Sequence, residues 1–311
     1  MKPAPATYYS NGKLLLTGEY FVLDGATVLA VPTRFGQSLA VEGTTGNKTI
    51  WKSLDVNGKI WFAGQISKEG GNFNIKKVPG FNFHPKTGET LCNILNGAIK
   101  LNPLFTANTA TLKITAQLGF AGDWGLGSSS TLINNIAQWA GVDAFALLAT
   151  SFGGSGYDIA AAQNNTPILY HKTGAAPLIK KVRLDWDFKD RLFFVHLNTK
   201  QDSKTGIAAY GKINVPKKTV LKITDLSHEL LHCRSLTDFE ALLNAHERLV
   251  SKTMGQLCVK ARLFPDYPRT VKSLGAWGGD FVLATGGENE KGYFRKKGYS
   301  TILPFKKMVL L

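Results

Sequence analysis

The sequence has few cysteines and no long apolar run. Its three cysteines among 311 residues, Cys92, Cys233 and Cys258, are widely spaced, without a Cys-x-x-Cys pair or a paired His. This pattern argues against a disulfide framework and against a zinc site. No apolar run reaches the ~18 residues that a membrane span needs. The amino terminus lacks the apolar core of a secretory signal, so we expect a cytoplasmic protein.

Acidic residues are also scarce. The chain has 22 Asp and Glu against 37 Lys and Arg, a formal net charge of +15. The basic residues are spread along the sequence, with no long basic tail and no recognisable nucleic-acid motif, so we expect neither a nucleic-acid nor a membrane partner. The excess is interpreted as solvated surface charge that attracts anions, including phosphate-bearing small molecules. The oligomeric state stays open, with a homodimer as one candidate.

With 311 residues and 44% hydrophobic content, the chain can bury a substantial core in two domains or one large one. Short apolar runs bounded by turn signals predict a β-rich first part, and Asp24-Gly25 predicts a hairpin turn. The predicted strands are residues 14–16, 20–23, 28–32, 37–41, 49–54, 59–62, 110–117, 193–197 and 282–284. The predicted helices are residues 89–101, 224–233 and 239–257.

A glycine-rich turn at residues 123–130 reads Asp-Trp-Gly-Leu-Gly-Ser-Ser-Ser. Gly125 and Gly127 let the backbone turn tightly and bring its N–H groups close to a ligand. From Thr131 onward, apolar residues recur at helical spacing, so a helix would aim its amino terminus at the turn. The stretch therefore predicts a phosphate site; the alternative is an ordinary helix start capped by serine.

Two further stretches have the same glycine-rich character. In residues 153–162, glycines precede Asp158 at the mouth of a short predicted helix. A carboxylate there could accept a proton or help hold a metal, or it could simply cap the helix. Residues 273–281, Ser-Leu-Gly-Ala-Trp-Gly-Gly-Asp-Phe, form another loop able to lay its backbone against a ligand, unless it is a plain connection.

In this order, the stretches resemble the motifs of the GHMP kinases, a family named for galactokinase, homoserine kinase, mevalonate kinase and phosphomevalonate kinase. The matching segments are Asn11-Gly12-Lys13 with Gly18-Glu19, the loop at residues 125–129, Ser155-Gly156-Tyr157-Asp158, and residues 275–280. Residues 156–160 also spell the signature of the subgroup called the GYDIA family. The resemblance spans nearly the whole chain and is strongest to the mevalonate and phosphomevalonate kinase branch.

The resemblance implies an α+β, two-domain GHMP kinase fold. A β-rich amino-terminal domain, residues 1–172, would carry the phosphate loop and its helix and bind ATP. A ferredoxin-like carboxy-terminal domain would span residues 173–311. The predicted helices at residues 224–233 and 239–257 agree with this order of elements, because they precede residues 273–281, here called the third glycine loop.

The resemblance also assigns the site residues. ATP would be bound by the loop residues Gly125, Leu126, Gly127, Ser128, Ser129 and Ser130. Mg²⁺ would take a hydroxyl from Ser129 or Ser130. Asp158 would be the catalytic carboxylate, and Lys13 would lie beside it and favour its charged form. The small, anionic substrate would meet Glu19, Gly278, Gly279 and Asp280. Apart from the resemblance, Lys204 is a further candidate for substrate binding, because it lies in a polar run after a predicted strand.

The sequence departs from the family at three points. Asn11 stands in place of the usual Pro before Gly-Lys, which leaves that loop less rigid but need not change the chemistry. Mevalonate kinases carry a Mg²⁺-binding Glu ahead of the Ser-Gly-x-Asp motif, but residues 144–152 contain no carboxylate. Asp123 or Asp143 could substitute, although Asp143 could instead cap the next helix. Trp277 stands where a small residue is common, so its ring is expected to shape the pocket.

These observations favour a kinase that phosphorylates mevalonate or phosphomevalonate. Two alternatives stay open. One is a regulatory GHMP-fold protein that binds a nucleotide or metabolite without transfer, as the missing Glu would allow. The other is an enzyme similar to diphosphomevalonate decarboxylase.

Overall fold

The computed structural model describes residues 4–106, 111–174, 176–199, 203–275, 277 and 279–311. The strands are β1 (Ala6–Leu15), β2 (Val28–Gly43), β3 (Thr49–Leu54), β4 (Ile60–Glu69), β5 (Asn72–Lys77), β6 (Leu112–Leu118), β7 (Ile168–His171), β8 (Leu178–Lys181), β9 (Leu192–His196), β10 (Val271–Ser273), β11 (Phe281–Thr285) and β12 (Ile302–Pro304). The helices are α1 (Pro85–Leu101), α2 (Ser128–Ala140), α3 (Ala144–Ser151), α4 (Tyr157–Gln163), α5 (Ser203–Tyr210), α6 (Lys217–Leu231), α7 (Leu236–Met254), α8 (Val259–Leu263), α9 (Glu288–Lys296) and α10 (Phe305–Met308). Within these described residues, no helix combines the length and the apolar character needed to cross a membrane.

The chain forms two compact units that are not consecutive stretches of sequence. Unit 1 contains Met1–Gly12, Phe35–Gly122 and Leu126–Gln163. Unit 2 contains Lys13–Arg34, Asp123–Gly125 and Asn164–Leu311. The chain therefore passes from one unit to the other within the phosphate loop. A single domain boundary near residue 172 stays a prediction of the sequence.

Unit 1 is a sheet covered by helices. This unit contains the part of an eight-stranded sheet with the order β5-β4-β3-β6-β2, in which all neighbours are antiparallel except β3 and β6. Strand β1 also pairs with β2. Residues alternate between buried and more exposed along β6, as expected for a sheet with one face on the core. The core contains Trp51, Phe62, Leu95 and Ile136, which are fully buried. Helix α2 contributes its apolar face to this core, which fixes the position of its first turn.

Unit 2 contains a four-stranded antiparallel sheet in the order β10-β11-β9-β12. Along the chain, β9 is followed by helices, then the β10-β11 hairpin, then α9 and β12. This succession of strand, helix, two strands, helix and strand is the ferredoxin-like arrangement. Phe193, Phe264, Val282 and Phe294 form its core. The α+β fold class with a ferredoxin-like carboxy-terminal part, expected from the sequence, is confirmed.

Several predicted elements differ from the observed ones. Residues 20–23, expected as a strand, contribute instead to a 3-10 helix, Phe21–Asp24, which ends at left-handed Gly25. The two strands expected at residues 28–32 and 37–41 are parts of one long strand, β2. Helix α6 begins directly after Pro216, and α7 ends at left-handed Gly255, so both predicted helices were placed too far along the chain.

Candidate active site

The predicted phosphate loop leads directly into α2, which begins at Ser128, within the three serines where the sequence predicts a helix start. Gly127 caps the helix in a left-handed conformation, φ 85° and ψ 43°. The first helical hydrogen bond runs from Thr131 N to Gly127 O, at 3.0 Å. The backbone N–H groups before Thr131, including those of Ser128 and Ser129, have no carbonyl acceptor within the helix, because a helical N–H donates to the residue four positions earlier. The helix start thus has the donors and the dipole direction that an anion site needs.

The loop side chains have different surroundings. The Ser130 hydroxyl is buried and donates to Gly127 O at 2.8 Å, whereas Ser129 is exposed. Of the two predicted metal ligands, Ser129 is therefore the one that solvent reaches. Leu126 is fully buried, so only its backbone can serve a nucleotide. Thr131 donates to Gln37 Oε1 at 2.6 Å, which ties the first turn of α2 to β2.

Asp123 and Asp143, the two candidates to replace the Mg²⁺-binding Glu of mevalonate kinases, have different surroundings. Asp143 caps α3 by accepting a hydrogen bond from Ala146 N at 2.8 Å, which confirms the capping alternative. Asp123 is exposed. Among the described residues, no group of three or more His, Cys, Asp or Glu side chains forms a metal cluster. Mg²⁺ commonly keeps waters and binds through few protein ligands plus substrate phosphates. The exposed Ser129 hydroxyl fits an ion of that kind.

The start of the phosphate loop, Asp123–Gly125, packs within unit 2 against β9 and β11. The carbonyl oxygen of Asp123 lies 3.2 Å from His196 Nε2. The Trp124 ring meets Phe281 edge to face, with centroids 5.5 Å apart. Gly125, at φ 66°, is so close to Asp280 that a Cβ added to it would lie 2.3 Å from the Asp280 Cγ. The Asp280 carboxyl group therefore lies directly against the loop backbone.

Two residues of the third glycine loop adopt left-handed backbone conformations despite having side chains. Trp277 has φ 55° and Asp280 has φ 57°. Such conformations cost about 1–3 kcal/mol each and persist only where the surroundings hold them. Asp280 N donates to Thr199 O at 2.8 Å, and Asp280 O accepts from Leu197 N at 2.7 Å. Gly279 is buried, and the predicted substrate residue Gly278 lies outside the described residues.

The Trp277 ring is packed inside unit 2, where it is 4% exposed. Its Nε1 donates to Glu247 Oε1 at 3.2 Å, and Ser273 Oγ donates to Glu247 Oε2 at 2.7 Å. The sequence predicted that the Trp277 ring would shape a ligand pocket, and it gave no sign of the buried partner Glu247. One carboxylate on α7 thus contacts both the beginning and the middle of the third loop.

Glu247 belongs to a buried charged cluster that includes Glu19 of the first motif. Lys272 Nζ lies 2.6 Å from Glu19 Oε1 and 3.8 Å from Glu247 Oε1, and it also donates to Ser273 O at 2.8 Å. The side chains of Lys272 and Glu19 have no exposed surface. Glu19 is thus paired inside unit 2, and its assignment to substrate binding stays a prediction.

Burial is the main influence on the pKa of Glu19, of Glu247 and of the neighbouring His246. Burial raises the pKa of Glu19 and of Glu247, and the nearby Lys272 charge opposes this shift in both carboxyls. The pKa of His246 is lowered well below its usual value of 6.5, first by burial and then by Lys272. The geometry agrees, because His246 Nε2 accepts a hydrogen bond from Gly18 N at 2.8 Å and must be unprotonated to do so.

His246 predicts a pH dependence of stability. A histidine whose pKa is depressed on folding contributes stability above its unfolded pKa of 6.5, and this contribution is lost as the pH falls below that value. Between about pH 7.5 and about pH 5.5, His246 should lower the free energy of unfolding of the wild-type protein by about 1.4 kcal/mol. His246→Gln should abolish this loss, because glutamine stays uncharged. Urea unfolding of both proteins at these pH values measures the difference. The exposed His228 supplies the control, His228→Gln, which should keep the wild-type slope; equal slopes in all three proteins would contradict the assignment.

The predicted catalytic residues lie on different elements. Asp158 is the second residue of α4, is partly buried, and follows left-handed Gly156, φ 87°. Lys13 is a partly buried residue of β1. Lys13 belongs to unit 2 and Asp158 to unit 1, and their pairing stays a prediction. Lys204 lies in α5, but its side chain is outside the described part of the chain.

The contact between Gly125 and Asp280 gives a second prediction. Gly125→Ala should destabilise the protein by about 2 kcal/mol or more, because it adds a left-handed Ala and a collision with Asp280. A Cβ at Gly122 would meet nothing within 4 Å, so Gly122→Ala is the matched control and should change stability by less than about 0.5 kcal/mol. The free energy of unfolding in denaturant should change more favourably when Asp280→Gly is added to the Gly125→Ala protein than when it is added to the wild type. Strict additivity would show that the two residues do not collide.

Comparison with solved structures identifies the fold. The mevalonate kinase of Methanococcus jannaschii matches with a TM-score of 0.68 at 16% identity, over 96% of this chain and 97% of that chain. A Streptococcus pneumoniae phosphomevalonate kinase in complex with phosphomevalonate and AMPPNP matches with a TM-score of 0.68 at 14% identity, over 96% and 99%. Lactococcus lactis galactokinase complexed with galactose gives 0.65 at 13% identity, over 99% and 94%.

Sequence comparison adds no relative. No family model matches the chain, and no curated protein matches it. The similarity is therefore one of structure, and it extends over almost the whole length of each chain. The three proteins named above belong to the kinases whose motifs the sequence resembles. The protein has the GHMP kinase fold.

Proposed function

We propose that the protein is an ATP-dependent kinase that transfers the γ-phosphate to a hydroxyl or phosphate group of a small anionic metabolite. The observation that carries the proposal is the start of α2, where left-handed Gly127 turns the chain into a helix amino terminus with three successive serines. Backbone amides and a helix dipole together favour a polyphosphate. The GHMP kinase fold supports the same reading.

In this proposal, the backbone of residues 125–130 surrounds the nucleotide phosphates. Ser129 offers its exposed hydroxyl to Mg²⁺. When bound, the ion supplies positive charge that neutralises phosphate oxygens during transfer. The phosphomevalonate kinase of similar structure was solved with AMPPNP, which is consistent with ATP as the phosphate donor.

Asp158 and Lys13 act on the acceptor in the proposed reaction. The acceptor oxygen attacks the γ-phosphorus, the bond from that phosphorus to ADP breaks, and a hydroxyl acceptor passes its proton to the Asp158 carboxylate. Lys13 contributes positive charge to the proposed reaction. Phosphoryl transfer depends mainly on positioning and on charge neutralisation, so the proposed set is these two residues, a phosphate cradle and a metal cation.

Mevalonate and phosphomevalonate are the proposed acceptors. The Ser155-Gly156-Tyr157-Asp158 motif supports this branch over galactose or homoserine. The net charge of +15 suits an anionic substrate. We further propose a cytoplasmic enzyme that acts on small molecules, without a nucleic-acid or membrane partner.

A second candidate is a protein that binds nucleotide without transferring phosphate. One observation favours it: helix α3, Ala144–Ser151, carries no carboxylate. Loss of a metal ligand would impair transfer more than binding, because the metal stabilises charge that develops during the reaction.

A coupled ADP-release assay tests the proposal. The acceptors are mevalonate, phosphomevalonate, diphosphomevalonate, galactose and homoserine, each with ATP and Mg²⁺, and each product is examined for carbon dioxide release. Acceptor-dependent ADP release with mevalonate or phosphomevalonate supports the proposed kinase. Carbon dioxide with diphosphomevalonate would show a decarboxylase instead. ATP binding without ADP release for any acceptor would favour the regulatory candidate.

A further inference from the structure

The third glycine loop contains two residues in left-handed conformations, and its contacts explain what holds one of them. Trp277 is held at its ring, where Nε1 donates to Glu247 Oε1 at 3.2 Å. The same carboxylate accepts from Ser273 Oγ at the start of the loop, at 2.7 Å. Glu247 lies on α7, a helix of 19 residues that is capped at both ends, so the carboxylate projects from a rigid element.

Glu247 lies beside a buried cation that it shares with Glu19. Lys272 Nζ lies 3.8 Å from Glu247 Oε1 and 2.6 Å from Glu19 Oε1. Lys272 also donates to the carbonyl of Ser273 at 2.8 Å. A carboxylate that accepts two hydrogen bonds beside a buried ammonium is a stronger acceptor than a neutral group would be. The Trp277 ring is therefore fixed by a charge-assisted bond and not by packing alone.

The far end of the same loop meets the phosphate loop. Asp280 lies against Gly125, where an added Cβ would be 2.3 Å from the Asp280 Cγ. Phe281, the next residue, contacts Trp124 edge to face. A change in the backbone at Trp277 would therefore shift Asp280 and, through it, the start of the phosphate loop.

We propose that Glu247 is a positioning residue: through Trp277 it holds the third glycine loop in the conformation that places Asp280 against Gly125. Lys272 supports this role by compensating the carboxylate charge. The proposal also has a consequence for the proposed kinase function: a phosphate loop held in this way would be shaped to bind a nucleotide. This consequence rests on the proposed function. The structural part of the proposal is independent of any activity.

The test compares two identical substitutions. Trp277→Phe removes the indole donor to Glu247. Trp186→Phe is the matched control, because the Trp186 ring is also buried in unit 2 and its Nε1 also makes one hydrogen bond, to Leu230 O at 3.0 Å. Hydrogen exchange is measured by mass spectrometry on peptides covering residues 271–285 and 120–126. Trp277→Phe should accelerate exchange in both peptides by about tenfold, the factor expected for one charge-assisted bond. Trp186→Phe should leave both peptides at wild-type rates.

Glu247→Gln is a second variant that keeps the side-chain shape and should give the same pattern as Trp277→Phe. Unchanged exchange in both peptides for both variants overturns the proposal, and so does equal acceleration in Trp186→Phe. In parallel, AMPPNP affinity is measured at a temperature where all proteins are folded. Weakening by about tenfold in Trp277→Phe and in Glu247→Gln, but not in Trp186→Phe, supports the link to nucleotide binding, whereas wild-type affinity with a loosened loop refutes that link. Absence of AMPPNP binding in the wild type would count against the kinase proposal, while the exchange data would still decide the role of Glu247.

Discussion

Asp158→Asn is expected to lower turnover by about 10²–10⁴-fold, the range typical of general-base contributions. Asn keeps the shape of the side chain and most of its hydrogen bonding but cannot accept the proton of the acceptor hydroxyl. Folding should survive, because Asn is tolerated near a helix amino terminus as well as Asp. Nucleotide affinity should also survive, because the proposed phosphate cradle consists of backbone at other residues. The measurements are steady-state turnover, AMPPNP affinity and melting temperature.

Asp143→Asn is the matched control for this prediction. Asp143 also stands at the amino terminus of a helix in unit 1, where its cap of Ala146 N is established. The control should be nearly silent in both rate and stability. If Asp158→Asn behaves in the same way, Asp158 only shapes its helix and has no part in phosphate transfer.

The largest stability effect is expected at Lys272. Lys272→Met removes the buried ammonium and leaves two buried carboxyl groups without their cation, which should destabilise the protein by about 3–5 kcal/mol. The loss arises because Glu19 and Glu247 must be protonated or left uncompensated in a site with no exposed surface on Lys272 or Glu19. Equilibrium unfolding in urea near neutral pH measures it.

Lys306→Met serves as its control, because Lys306 pairs with Asp190 at 2.8 Å on the surface, with both side chains more than half exposed. Such a pair contributes about 0–1 kcal/mol. Adding Glu19→Gln to Lys272→Met should restore part of the lost stability, since it removes one uncompensated carboxylate. A loss at Lys272 no larger than that at Lys306 would mean that the buried ion pair does not stabilise the fold.

The elements that the sequence predicted well are those whose signal is local. The glycine turn before α2 and the strands β3 and β11 depend on neighbouring residues, and the structure has all of them. Helix boundaries were less accurate, yet their signals were present: Pro216 before α6, Ser235 before α7 and Gly255 after it. The strand expected at residues 20–23 failed for a different reason. An apolar run of that length fits a strand or a helical turn, and only tertiary contacts choose between them.

The buried cluster could not have been found from a pattern. Lys272 reads as one of many basic residues, and Glu247 and His246 read as the polar part of an amphipathic helix. Their partners Glu19 and Gly18 lie more than two hundred residues earlier in the chain. Lys272 is buried in the middle of the short strand β10. No local property of the sequence predicts that burial.

The separation of these partners also affects how the protein is made. The segment around Leu15, Leu16 and Phe21 is almost wholly buried in the finished protein. Its contacts to Ser227, His246 and Lys272 join residues separated by 210, 228 and 253 positions. Contacts of such long range form slowly and cannot form before the later residues exist. On the ribosome, this apolar segment therefore emerges long before these three partners and cannot make its contacts to them until they have been synthesised.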